Sequence, residues 1–75
     1  MELVGYVILR DEETGEIEKI GRFRDGGITE RFYEGKWLRD HILYSELLDG
    51  LLEKISEAEA ERLIALQRRK EKIAA

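Results

Sequence analysis

Two side chains of the sequence, His41 and Ser45, have the types that form a nucleophile and its base. They are four residues apart, which places them on one face of a predicted helix. Asp40 adjoins His41, but adjacent residues of a helix do not face each other, so Asp40 does not orient the imidazole. Ser45 stands in Tyr-Ser-Glu rather than in a Gly-x-Ser-x-Gly elbow. The pattern predicts a partly buried structural histidine and a protein that is not an enzyme.

Side chains that bind metal ions are few. The chain has no Cys and one His, and its acidic cluster of Glu12, Glu13 and Glu16 matches no Ca²⁺-binding loop. The sequence contains no P-loop, no Gly-x-Gly-x-x-Gly fingerprint and no His-Glu-x-x-His motif. We therefore expect no metal and no cofactor, and we interpret the three glutamates as the solvated tip of a hairpin.

A stretch rich in aromatic and basic residues is the strongest candidate for a binding function. Residues 21–37, GRFRDGGITERFYEGKW, hold four of the six aromatic residues of the chain, interleaved with three Arg and one Lys. Tyr and Arg around an aliphatic centre are the residue types that anchor protein interfaces. The same types on a sheet bind single-stranded nucleic acid by stacking bases and contacting phosphates. A third interpretation is a solvated sheet face on which Arg side chains cover apolar neighbours.

The elements that position these residues are predicted from periodicity and turn signals. Residues 3–10, 16–24 and 28–33 suit strands and are separated by turns, which predicts a three-stranded antiparallel meander. The apolar spacing then becomes helical and predicts helices over about 38–49 and 57–72, with 51–54 as a connector. Ser56 and Glu59 form a capping box at the start of the second helix. The predicted fold is one α+β domain over residues 1–75, with both helices packed on one face of the sheet.

The pairing of the strands decides which face of this sheet stays open. A three-residue first loop pairs Ile8 with Ile20, and a two-residue second turn pairs Phe23 with Ile28. With these registers the helices cover the face that contains Phe23 and Phe32. A shift of one residue in either hairpin would exchange the faces. The opposite face is the predicted partner-binding surface, and its residues are Tyr6, Ile8, Ile20, Arg22, Arg31 and Tyr33.

Composition and charge narrow the classes of function. The net charge is −4, which argues against a surface devoted to nucleic acid or to anionic lipid. Asn and Pro are absent and 40% of the residues are charged, which is typical both of thermophile proteins and of designed sequences. No apolar run reaches the length of a membrane span, and we expect a cytoplasmic protein. A chain of this length without disulfides gains stability by pairing with itself, which favours a homodimer.

The run GKWLRDHILYSELLDGLLEKISEAEAERLI, residues 35–64, resembles the C-terminal half of certain short uncharacterised bacterial proteins. Those proteins also place a Gly-x-Trp before a helical stretch and open the last helix with Ile-Ser-x-x-Glu-Ala. The resemblance covers fewer than half of the residues. It implies no activity, cofactor or site residue, because none is assigned to those proteins.

Taken together, these observations predict a small non-catalytic protein-interaction module. We expect it to associate with itself or to dock on a protein partner, through the outer sheet face or an exposed strand edge. Single-stranded nucleic-acid binding by the basic and aromatic face is the alternative, and a designed scaffold without a function is a further one.

Overall fold

Residues 3–74, the part of the chain that the computed structural model describes, form a five-stranded antiparallel sheet and two helices. Side chains are described for residues 5–69. The strand order is β4-β3-β2-β1-β5. No helix within the described residues is long and apolar enough to cross a membrane. The predicted α+β class is confirmed, and the elements are β1 Leu3–Arg10, β2 Ile17–Arg24, β3 Ile28–Tyr33, β4 Lys36–Arg39, α1 Ile42–Leu48, β5 Leu52–Ile55 and α2 Glu57–Ala74.

The strand β4 does not belong to the predicted meander, and a tight turn creates it. Glu34 and Gly35 have φ angles of 48° and 80°. Two successive left-handed residues form the type I′ turn, which returns a strand alongside its neighbour. Phe32 therefore pairs with Trp37 across β3 and β4. The helix predicted from about residue 38 begins at Ile42 instead, because residues 36–39 belong to the sheet.

The segment predicted to connect the two helices is the fifth strand. Leu52 of β5 pairs with Leu9 of β1, at the edge of the sheet opposite to β4. Both edge strands have four residues. Each of them carries two charged side chains, Lys36 and Arg39 on β4 and Glu53 and Lys54 on β5.

The second hairpin differs by one residue from the predicted register. Residues 25–27 form its loop, and Gly27 has a φ of 74°, so it belongs to the loop rather than to β3. Ile28 consequently pairs with Arg24 instead of Phe23. Since side chains alternate along a strand, this shift turns every side chain of β3 to the other face of the sheet.

The core lies under α2, on the face that was predicted to remain open. Ile8 pairs with Ile20 as predicted, and the shifted β3 adds Phe32 beside them. These three side chains are at most 5% exposed. Leu63 and Ile64 of α2 pack against them. The apolar stripe of α2 thus covers the centre of the sheet.

The helix α1 packs on the opposite face, so the prediction that both helices share one face is wrong. Val7 and Gly21 pair with each other and are adjacent along their strands to Ile8 and Ile20, so they face away from α2. The fully buried Leu43 of α1 lies over them. A Cβ atom at position 21 would be 2.8 Å from a methyl carbon of Leu43. The glycine therefore allows α1 to approach the sheet closely.

Candidate interaction surface

A cluster of three charged side chains fixes the start of α1. Lys19 Nζ lies 2.8 Å from Asp40 Oδ2 and 2.6 Å from Glu46 Oε1. Asp40 Oδ1 accepts a hydrogen bond from the N–H of Ile42 at 2.9 Å, which satisfies the first N–H group of α1. The N–H of Asp40 donates to the carbonyl of Thr29, whose hydroxyl donates to the carbonyl of Asp40. The entry to α1 is therefore tied to both β2 and β3.

The charges of this cluster stabilise one another despite their burial. Burial would raise the pKa of the Asp40 carboxyl, but the Lys19 ammonium and the N–H groups at the start of α1 lower it below its ordinary value of 3.8. Burial alone would lower the pKa of Lys19, but the carboxylates of Asp40 and Glu46 raise it above its ordinary value of 10.5. The cluster holds α1 in place, and Lys19 is the cation that compensates two largely buried carboxylates.

The helix α1 buries one apolar side chain and exposes the others. Leu43 is the buried one, whereas Ile42 is 66% and Leu48 71% exposed. A seven-residue helix that is apolar on several sides cannot bury all of them against one sheet. The exposed apolar side chains of α1 and of the turn after it, which we call the α1 surface, are Ile42, Tyr44, Leu47, Leu48 and Leu51.

Two residues of the sheet extend the apolar area around the α1 surface. Leu38 pairs with Arg31, which pairs with Gly21, so Leu38 and the half-exposed Tyr33 project to the α1 side. With the α1 surface they make up seven of the eight large apolar side chains that are exposed within residues 5–69, a concentration that is typical of interaction sites, whereas exposed apolar residues elsewhere are usually scattered. Among the described residues, the one other exposed large apolar side chain is Leu66 on α2.

A cleft lined by charged side chains lies at the beginning of α1. It has a volume of about 320 Å³ and borders Ile42. Three basic side chains and one carboxylate line it, together with His41. Lys19 is engaged by its two carboxylate partners. Arg39 pairs with Glu30 across the strands, so its side chain projects to the α2 side and Arg31 is the remaining cation of this cleft on the α1 side.

An acidic cleft lies at the other end of α1. It has a volume of about 500 Å³ and borders Gly50 and Leu51. Its one basic side chain, Arg10, pairs with Glu53 at 2.7 Å. The end of the α1 surface near Leu51 is therefore acidic. Five carboxylates line the acidic cleft, those of Asp11, Glu12, Glu13, Glu18 and Glu46.

Four of the six predicted partner-binding residues lie on the side of the sheet that α2 covers. The two isoleucines of that set belong to the core. Arg22 is held by Glu30, with 2.7 Å between Nε and Oε1, and its Cζ lies 4.1 Å from the centre of the Trp37 ring. Tyr6 completes this cluster, with its ring centre 6.2 Å from that of Trp37. These side chains stabilise the packing between the sheet and α2.

The remaining two residues of the predicted set lie on the α1 side. The Cζ atom of Arg31 is 5.2 Å from the centre of the exposed Tyr33 ring. The six residues therefore do not share one open face, and that prediction is wrong because β3 is displaced by one residue. The sequence does not predict the α1 surface, because the apolar residues of the predicted helix 38–49 suit a helix that packs on the sheet. The runs Ile42-Leu43-Tyr44 and Leu47-Leu48 were the available signal, since they surround the helix with apolar side chains.

The side chains of His41 and Ser45 and of the three glutamates of the first hairpin are exposed, whereas Asp40 is buried. His41 precedes α1 and Ser45 lies within it, so the histidine predicted to be partly buried is at the surface. Glu12, Glu13 and Glu16 are exposed in and beside the first hairpin loop. No group of three or more His, Asp or Glu side chains within the described residues is arranged to hold a metal ion.

Comparisons with protein-family models, with curated proteins and with solved structures found no match for this chain. The resemblance of residues 35–64 to bacterial proteins therefore stays a prediction.

Proposed function

We propose that this protein is a small non-catalytic module that associates with a second copy of itself through the α1 surface. The observation that carries the proposal is the concentration of exposed apolar side chains on one side of the sheet. Such a concentration of exposed apolar side chains marks interaction sites, and a protein interface of standard size buries roughly 800 Å² on each partner. An apolar centre with charged residues around it is also the usual anatomy of such an interface.

Binding of single-stranded nucleic acid has less support from the geometry. Arg22, predicted to contact phosphates, is engaged by Glu30 and stacked on Trp37. The exposed large apolar side chains are concentrated on the α1 side of the sheet, whereas phosphate binding relies on a continuous positive surface. An acidic cleft adjoins the same area and would repel a polyanion. Protein association uses both the apolar area and the charges beside it.

Replacing Leu48 with Glu is expected to weaken self-association by roughly tenfold or more, because a charge would then enter the apolar centre of the interface. Leu48 is 71% exposed, so the isolated fold should not be affected. Sedimentation equilibrium over a series of protein concentrations measures the change. The wild-type chain is expected to reach the mass of a dimer at high concentration, and the variant to remain a monomer over the same range.

The matched control is the replacement of Leu66 with Glu. Leu66 is an exposed leucine of α2, on the other side of the sheet, so this variant adds the same charge away from the α1 surface. Its solution mass should follow that of the wild-type chain. A wild-type monomer at every concentration would contradict the proposed function. A dimer that survives Leu48→Glu would place the interface elsewhere, for example at an edge strand.

A further inference from the structure

A cleft with aromatic walls lies on the α2 side of the sheet, away from the α1 surface. Tyr6 and Trp37 line it together with α2, and it has a volume of about 320 Å³. We infer that this cleft, which we call the aromatic cleft, binds a single purine nucleotide, with the base beside the two rings and the phosphate beside Arg68. The inference goes beyond the proposed function, because it concerns the face of the sheet that the α1 surface does not include.

The size and the walls of the aromatic cleft suit one nucleotide. Ala60 and Ala65 line it from α2, where longer side chains would fill the space. Its volume is at the lower end of the roughly 300–1,000 Å³ that ligand sites occupy. The ring centres of Tyr6 and Trp37 are 6.2 Å apart, and Arg22 lies over the indole ring at 4.1 Å from its centre. Aromatic rings held in this way are the surfaces on which proteins stack bases.

The polar groups of the cleft have no partners within the part of the chain that the structure describes. Neither the Tyr6 hydroxyl nor the Trp37 indole N–H makes a hydrogen bond with another described residue. Glu61 and Arg68 also line the cleft, and neither forms an ion pair with a described residue. These four groups are therefore available to a ligand.

The carboxylate and the guanidinium lie at different ends of the aromatic cleft. Burial raises the pKa of the Tyr6 hydroxyl above its ordinary value of 10.0, and the nearby carboxylates of Glu57 and Glu61 add to the shift. Glu61 therefore lies at the Tyr6 end. The Cζ atom of Arg68 is 5.8 Å from the centre of the Phe32 ring, which packs against Trp37 at the other end. Residues 61 and 68 are roughly 10 Å apart along the axis of α2.

This separation of charges matches the two ends of a nucleotide. A carboxylate only accepts hydrogen bonds, and guanine presents two adjacent N–H donors on its Watson–Crick edge, so Glu61 selects guanine over adenine. The phosphate lies at the opposite end of the nucleotide, where the guanidinium of Arg68 donates charge-assisted hydrogen bonds to it. One nucleotide needs only this one cation, whereas a nucleic-acid strand needs a continuous positive surface.

Titration with guanosine monophosphate, followed by nitrogen–proton correlation NMR, tests the site. Trp37 is the one Trp of the chain, so its indole N–H gives a single signal that reports on the cleft. In the wild-type chain this signal is expected to shift until it saturates. The variant Arg68→Gln is expected to bind guanosine monophosphate roughly tenfold more weakly, because the charge-assisted contact is lost. Its binding of guanosine, which has no phosphate, should equal that of the wild type.

Two further variants and one control complete the experiment. Glu61→Gln is expected to lose the preference for guanosine monophosphate over adenosine monophosphate, because a side-chain amide donates as well as accepts. Leu48→Glu should bind the nucleotide as the wild type does, since Leu48 lies on the other side of the sheet. The matched control is Arg69→Gln, which removes the same charge from an exposed residue of α2 that does not line the cleft. Its affinity for the nucleotide should be unchanged.

The outcomes separate this inference from the proposed function. An indole signal that guanosine monophosphate does not shift would overturn the inference and leave self-association untouched. Equal losses for nucleotide and nucleoside in Arg68→Gln would also overturn it, because Arg68 would then act on the fold rather than on the phosphate. Shifts that inorganic phosphate alone reproduces would show a general anion site and overturn it as well. Nucleotide binding by a chain that stays monomeric at every concentration would support the inference and contradict the proposed function.

Discussion

Replacing Lys19 with Met is expected to lower the free energy of unfolding by about 3 kcal/mol at neutral pH, because two carboxylates then remain close together without their cation. Asp40 and Glu46 both contact Lys19 Nζ, and both of their side chains are largely buried. Urea unfolding followed by the fluorescence of Trp37, the one Trp of the chain, measures the change. The matched control is Lys54→Met, which removes the same charge from an exposed position of β5.

The effect of Lys19→Met depends on pH with a defined sign. In the native protein the pKa of Asp40 is below its ordinary 3.8, so its contribution to stability is present above that pH and is lost as the pH falls through the lowered pKa. In the variant Asp40 keeps its burial without the ammonium, and burial raises the pKa of a carboxyl. Protonation of Asp40 at lower pH then removes the free-energy cost of its buried, unpaired charge. The difference in stability between wild type and variant should therefore shrink between pH 7 and pH 4, and a difference that is constant over this interval would contradict the role of the cluster.

Replacing Ile20 with Ala is expected to lower the free energy of unfolding by about 3 kcal/mol, since it leaves a cavity at the centre of the core. Ile20 is fully buried between Ile8 and Phe32. In a domain of this size such a loss lowers Tm by roughly 10–20 °C. Thermal unfolding followed by circular dichroism measures it, at a protein concentration where the chain is monomeric.

The same substitution at Ile42 is the control for Ile20→Ala, because it removes the same atoms from a side chain that is largely exposed. The free energy of unfolding of the Ile42→Ala variant is expected to differ from that of the wild type by at most about 0.5 kcal/mol. The pair of variants also tests which face of the sheet is covered. If Ile20→Ala left the stability unchanged, Ile20 would belong to an open surface, as the sequence alone had indicated.

The elements that could be predicted from the sequence are those whose signals are local. The first three strands follow from apolar and β-branched runs bounded by turn residues. The start of α2 follows from Ser56, whose Oγ accepts a hydrogen bond from the N–H of Glu59 at 3.1 Å as predicted. The carboxylate of Glu59, which the predicted capping box directed towards the helix start, pairs with Arg62.

The remaining strands and the covered face depend on information that a local pattern does not contain. Glu34 is an uncommon first residue for a type I′ turn, so the hairpin that creates β4 has a weak signal. The strand β5 exists because Leu52–Ile55 pairs with β1 more than forty positions earlier in the chain. The faces of β3 depend on whether Gly27 belongs to a loop or to a strand. A difference of one residue in the pairing of β2 with β3 therefore decides which side chains of β3 face α2 and which face α1.

The short and charged edge strands limit the number of chains that can join one assembly. An unpaired edge is a template on which further chains add and build fibrils. Here each edge offers four residues, two of them charged, so strand addition is poorly supported on both sides. The exposed apolar side chains lie on α1 and beside it, so the proposed two-fold contact would cover them in both copies and leave no such surface for a third chain. Growth should therefore stop at two chains, and concentrated solutions should show no polymer and no binding of amyloid dyes.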